Sequence, residues 1–232
     1  MKKGLLTILI LLALLLPITM ANAADVPEYI IRQCREKAQK MKLTSVTYKF
    51  GKLIFDNTKS TAQVRQNCRS EGAAGCFEHT TAHYRYGVSD MVTVSAGRYT
   101  CIVPKLYADY SWVDAVIYMT REYNPCQRRV VLRHELQHFT IWKTAQNHIL
   151  TESKQALNKL ALDNIEVISA EDGKIIGNAY NLRTIVGQKL HEINEKWNSI
   201  STKNNTLLDE IDHNMETEVN YRVCMPYSVE LL

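Results

Sequence analysis

The sequence predicts an α+β fold in a single domain, and three observations carry that expectation. From Ser45 to Thr120 the chain is rich in β-branched and aromatic residues, in short runs bounded by Gly or Pro. After Pro125 the texture turns helical, with no Gly or Pro between residues 127 and 162. The 232 residues are 46% hydrophobic and 22% charged, with 9 Gly and 5 Pro. That is enough apolar material for one sizeable core and excludes a disordered tail or a fibre. Strands first and helices after is the α+β order.

Residues 1–23 read as a secretory signal peptide. Lys2 and Lys3 supply the positive start, and Leu5 to Leu16 are apolar except for Thr7. Pro17 breaks the run, and Ala21-Asn22-Ala23 offers small residues to a signal peptidase. About a dozen apolar residues fall short of the ~20 that span a bilayer. The expectation is cleavage after Ala23, export to the periplasm or beyond, and no stable membrane insertion afterwards. Residues 24–232 then form the mature domain. A net charge of +4, mixed in sign, lacks the dense basic face of a nucleic-acid binder.

Within that domain, residues 28–42 read as a short helix turning Ile30, Ile31 and Ala38 toward a core. Val46 to Phe50 alternate as a strand, and Gly51-Lys52 is expected to turn the chain into Leu53-Ile54-Phe55. Further strands are expected at His83–Tyr86, Met91–Val94, Tyr99–Val103 and Val113–Met119. In the following helix, Val130, Val131, Ile141, Ile149, Ala156 and Leu160 keep helical spacing. Glu171-Asp172-Gly173 suggests a hairpin turn. Leu182, Ile185, Val186, Leu190, Ile193, Trp197 and Ile200 then step by three or four, an amphipathic helix. Ser201 to Asn205 reads as a polar loop, and Leu207 to Cys224 begins as helix.

The chemistry is concentrated in His134-Glu135-Leu136-Gln137-His138, an HExxH pattern. At i and i+4 on a helix, the two histidines project from nearly one face and can reach one metal ion at ~2.0–2.1 Å. Glu135 lies about 100° round the helix from His134, so it stands beside the ion and can take a proton from a zinc-activated water. Zinc brings the pKa of that water toward ~7. The flanking Leu132, Leu136, Gln137 and Phe139 are uncharged, as in the wall of a buried site. His79 and His83 are also four apart, but on a strand that spacing is ~13 Å, too far for one ion. They read as surface or cleft residues. Tyr84, Tyr86, Tyr221 and Tyr227 read as core-edge tyrosines, with an oxyanion donor the sharper role for one of them. There is no GxSxG, Walker A loop or GxGxxG.

Six cysteines, all beyond residue 23 and without a CxxC, suggest up to three disulfides in an oxidising compartment. Fifteen pairings are open, and spacing does not choose among them.

The HELQH stretch resembles the zincin metallopeptidases. Residues 118–138 (YMTREYNPCQRRVVLRHELQH) and 211–224 (IDHNMETEVNYRVC) are similar to a group of exported bacterial zincin-like proteins. That resemblance covers roughly the latter half of the mature chain. It implies a zincin-like domain, a zinc cofactor, a peptide or protein substrate, and a third ligand. No Gly or His follows His138 closely enough for the metzincin pattern. His148 and Glu152, if on the same helix, are ~15 and ~21 Å along it. The gluzincin solution is a Glu from a downstream helix, often in a stretch like ExEAD. Met215 to Asn220 is similar, with Glu216 at the ligand position and Asn220 where that family has Asp. Asp212 and His213 are competitors. The group's cysteines before the HExxH helix and at the C-terminus imply a Cys126–Cys224 bond, leaving Cys68–Cys76 and Cys34–Cys101. The functional expectation is an exported zinc-dependent peptidase with Glu135 as general base. The alternative is a catalytically silent zincin-like envelope binding module, and a weaker one is amide hydrolysis on cell-wall material.

Overall fold

The computed structural model describes residues 26–69, 71, 73–169, 175–176 and 181–224, with backbone alone for 175–176 and 212–223. The segment expected to be a signal peptide, the turn expected at Glu171–Gly173 and Tyr227 lie outside these residues. Helix α1, Glu28–Ala38, follows Pro27 and buries Ile30, Cys34 and Ala38 along one stripe. Strands β1, Thr44–Lys49, and β2, Leu53–Lys59, come next. Helix α2, Thr61–Cys68, opens on a capping box in which Ser60 and Gln63 satisfy each other's backbone N–H. Four strands follow: β3, Gly75–Glu78; β4, His83–Ala96; β5, Tyr99–Ser111; and β6, Ala115–Thr120. Helix α3, Pro125–Asp163, starts on a second capping box, Asn124 with Gln127, and places Pro125 where its missing N–H costs nothing. Two short strands, β7, Glu166–Ser169, and β8, Ile175–Ile176, precede helix α4, Leu182–Val223.

The α+β class therefore holds, with two sheets and four helices among the described residues. The order is less segregated than expected: α2 interrupts the strands, and β7–β8 separate the long helices. Helix α2 was masked in sequence by the β-branched texture around it, although Ser60-x-x-Gln63 is a recognisable start signal. In the five-stranded sheet β4 runs antiparallel along all of β5, across a tight turn at Gly97 (φ +63°). Segments expected as separate strands, His83–Tyr86 and Met91–Val94, are one strand with a bulge between Val88 and Asp90. The other edge of β5 is shared by β1, parallel, and by β7, which pairs onward with β8. The second sheet has the order β2-β6-β3.

The hairpin expected at Gly51-Lys52 does not form. Strand β1 pairs in parallel with β5 and β2 in parallel with β6, both at an offset of 62 residues (Thr44 with Leu106, Leu53 with Ala115). The two chain segments thus run side by side and change sheet together. Across the bend the N–H of Trp112 donates to Lys49 O (3.0 Å), and that of Ala115 to Lys52 O (2.9 Å). The Lys52 N–H donates to Asp114 Oδ1 (2.7 Å). Gly51 is required here for close approach, because a Cβ would stand 2.3 Å from the carbonyl carbon and oxygen of Val113.

The main core lies between the five-stranded sheet and the two long helices. Val103, Leu106, Ala108 and Tyr110 of β5 meet Trp142, Ile149, Leu157 and Ala161 of α3 and Leu182, Val186, Leu190 and Ile193 of α4. Tyr110 satisfies its hydroxyl on Ser153 Oγ at 2.7 Å, inside this core. Tyr84 stacks on Tyr110, and the Tyr86 ring packs so closely on Gly187 of α4 that a Cβ there would overlap it. Both are core-edge tyrosines. A smaller cluster of Ile117, Met119 and Val131 seats the start of α3 on the second sheet. Three disulfides, Cys34–Cys101, Cys68–Cys76 and Cys126–Cys224, match the pairing that the resemblance implied. No described helix is long and apolar enough to cross a membrane.

Gly51→Ala tests the sheet-switching bend. The added methyl meets backbone that cannot rotate away, so it should cost about 2–3 kcal/mol or more, the scale of severe overpacking. Urea unfolding reads this directly, and an unchanged midpoint would show that the bend yields.

Candidate metal centre

Helix α3 carries the HExxH residues on its third and fourth turns, as its sequence requires. Nε2 of His134 and Nε2 of His138 lie 2.9 Å apart, with the rings nearly perpendicular. The third group is Asp209 of α4, whose Oδ1 is 2.9 Å from His138 Nε2 and 3.3 Å from His134 Nε2. A tetrahedral ion with ligand arms of ~2.0–2.1 Å needs donor atoms ~3.3–3.4 Å apart. The triangle of 2.9, 2.9 and 3.3 Å is close to one face of such a tetrahedron, so these residues fit a zinc-sized ion.

Asn205, one turn before Asp209, fixes the chemistry of His138. The Nδ1–H of that ring donates to Asn205 Oδ1 at 3.0 Å. In the neutral imidazole this leaves Nε2 without a proton and aims its lone pair at the other two donors. The histidines retain 17% and 12% of their side-chain surface and Asp209 59%, so the cluster is sunk in the wall and open on the Asp209 side.

The cluster lies in a cavity of about 600 Å³. Helix α3 lines it with Val131, His134, Glu135 and His138, and α4 with Asn205 and Asp209. The opposite rim is Ala73 to Phe77, the approach to β3 and most of that strand, with His79 just beyond. Glu135 is 5% exposed and faces this cavity without belonging to the donor triangle. It stands where a proton acceptor beside a metal would be needed.

Asp209 is the residue that sequence reasoning missed. The expected loop at Ser201–Asn205 is helix, since α4 runs unbroken from Leu182 to Val223. Glu216 lies seven residues past Asp209 on that helix, ~10 Å further along its axis. The side chains of Glu216, Asp212, His213 and Tyr221 fall outside the described residues. A signal for Asp209 was present: stepping by four from Trp197 along the buried seam gives Ser201, Asn205 and Asp209.

The remaining candidates have other work. His148 stacks on Trp197 with ring centroids 4.0 Å apart. Glu152 accepts from Lys196 Nζ at 2.7 Å, and that hydrogen bond holds its carboxyl below the usual range against the opposing effect of burial. His83 lies exposed at the start of β4. His79 packs against Phe77 and Trp142 on the cavity rim. Although the residue keeps an exposed side, these rings partly desolvate the imidazole and push its pKa down, with a hydrogen bond to the Thr80 backbone and the charge of Glu78 acting the other way. No family model, curated protein or solved structure matches this chain.

Two measurements follow. His134→Ala and Asp209→Ala should each abolish stoichiometric zinc, and Asn205→Ala should weaken it by about 10–100-fold. Competition against a chromogenic chelator gives all three values. Full zinc in Asp209→Ala together with loss in Glu216→Ala would move the third ligand back to Glu216. For His79, the unfolded chain takes up a proton near its ordinary pKa of 6.5, whereas the folded chain resists until lower pH. Stability held by the neutral ring is therefore present above pH 6.5 and lost as pH falls below it. His79→Phe keeps the aromatic packing and should flatten that acid-side loss in melts run from pH 7.5 to 5.

Proposed function

We propose that the chain is an exported zinc-dependent peptidase of zincin type, with His134, His138 and Asp209 as ligands and Glu135 as general base. The observation that carries this reading is the convergence of three metal-type donor atoms beside a buried carboxylate in an open cavity. Three protein donors leave a fourth position for water or substrate, the arrangement of catalytic sites, whereas structural zinc sites are closed by four. Zinc, when bound, supplies Lewis acidity that lowers the pKa of water toward ~7 and polarises a carbonyl.

The chain's own groups supply the rest. Glu135 accepts the proton of the attacking water and returns it to the departing amine. Asn205 holds the His138 ring in the tautomer that can bind a metal. Among the described residues strand β3 pairs with β6 alone, and it forms one rim of the cavity. Its outer edge can take an extended polypeptide by main-chain hydrogen bonds, which favours a peptide or protein substrate over amides of cell-wall material. The site departs from the gluzincin stretch, because the helical carboxylate is Asp209 and the residue that orients His138, Asn205, precedes it by one turn. Export is supported by the signal-like residues 1–23 and by three disulfides, which persist in oxidising compartments.

Glu135→Gln is the deciding variant. Gln is nearly isosteric and Glu135 ligates nothing, so fold and zinc should both be retained. Hydrolysis of an unfolded protein or a peptide library should nevertheless fall by ~10²-fold or more, since general-base catalysis is typically worth 10²–10⁴. Equal turnover in zinc-loaded wild type and variant would remove Glu135 from the mechanism. A wild type that binds zinc and hydrolyses nothing would favour the envelope binding module.

A further inference from the structure

We propose that Gly75, on the edge strand β3, is a positioning residue for Glu135: its missing side chain is the gap into which α3 docks. This inference rests on the peptidase reading of the site. A Cβ on Gly75 would lie 2.5 Å from Val131 Cγ1, 2.9 Å from the carbonyl oxygen of Tyr118 and 3.4 Å from Glu135 Oε1. Real Cβ atoms essentially never come within 3.0 Å of another heavy atom, so the first two of these contacts are forbidden, while the third is ordinary van der Waals contact. Among the described glycines the left-handed conformation belongs to Gly97 alone. Position 75 thus requires glycine for space and not for backbone conformation.

Both sides of the gap are fixed. On the strand side, Gly75 and Cys76 are paired with Met119 and Tyr118 of β6, and Cys76 is bonded to Cys68 of α2. On the helix side, Val131 is 3% exposed and packed on Ile117 and Met119. Val131 and Glu135 are four apart and so share the face of α3 that meets the strand. The ligand histidines turn instead toward Asn205 and Asp209 of α4. A methyl group at position 75 cannot be absorbed by the strand, and the displacement falls first on Val131, which lies one turn before Glu135 on the same face of α3 and passes the shift to it through the helix. Misplacing a catalytic group by ~1 Å can cost about 10²-fold in rate.

The test uses the full-length mature, oxidised chain loaded with zinc for kinetics and with cobalt(II) for spectroscopy. Gly75→Ala should keep one metal per chain and all three disulfides, while kcat falls about 10–100-fold and KM stays within about threefold. The visible cobalt spectrum should shift without loss of cobalt, since Glu135 borders the open coordination position. Adding Val131→Ala to Gly75→Ala removes the tightest contact and should restore most of the lost kcat. If Gly75→Ala does not fold, Val131→Leu fills the same gap from the helix side and should show the same kcat loss and spectral shift. A folded gap-filled variant with wild-type kcat and cobalt spectrum overturns the role of Gly75 and leaves the peptidase reading intact. A wild type that takes up no cobalt ends both, and one that binds cobalt but hydrolyses nothing leaves the spectral shift to decide the positioning.

Discussion

The register of α4 against α3 decides whether a metal-binding triangle exists, because a slip of one residue rotates a helical side chain by about 100°. Asp209 faces His134 and His138 only if Asn205 is level with His138, Trp197 with His148 and Lys196 with Glu152. These polar and stacking contacts report the register more than they create it. The Lys196–Glu152 pair is half exposed on the lysine side, and such pairs contribute ~0.2–1 kcal/mol. The stronger constraints are the apolar seam of Leu182, Val186, Leu190 and Ile193 and the Cys126–Cys224 bond. That bond closes a loop with a sequence separation of 98, worth about 4–5 kcal/mol in the chain-entropy model. It joins the first turn of α3 to the residue after α4, so the helices are held on both sides of the donor cluster.

A metal held by these residues would be coupled to the fold. Two imidazole nitrogens 2.9 Å apart, with a carboxylate oxygen beside both, can share a proton or share a cation. The unfolded chain holds no such triangle, so metal affinity adds to folding free energy, and it weakens as the histidines protonate. A site of this kind needs a rigid frame. Here the frame is two helices whose opposite faces are already committed to the core under the five-stranded sheet.

Much of the α+β fold was legible in sequence, and the limits have physical causes. The HExxH helix was readable because spacing on one helix is local information. The β1–β2 bend was not, because a Gly after an alternating run looks like a hairpin until the parallel partner 62 residues later is known. The candidate site was half legible. Its α3 residues followed from the motif, whereas Asp209 lay beyond the point where apolar residues stop marking the buried seam. From Ser201 onward the seam continues in polar residues, and a run of Ser, Thr, Lys and Asn imitates a loop. Ser201 is 5% exposed, which shows that the seam had not ended. Where a helix must present ligands, its hydrophobic pattern fades just where the function begins.

The same reasoning explains why the chain changes sheet. The first part of the parallel pair, β1 with β5, packs over α3 and α4 and supports the main core. After the Gly51–Val113 crossing, the second part, β2 with β6, turns away and brings β3 against the start of α3. Without that bend, β6 would continue in the five-stranded sheet and the cavity would lack its β3 rim. The Cys68–Cys76 bond then ties the rim to α2, and Gly75 lets it approach Val131 of α3 more closely than any side chain allows. Two glycines, one at the bend and one at the rim, thus act on the same distance: Gly51 by sending the second sheet across, and Gly75 by letting it settle against the helix that carries Glu135.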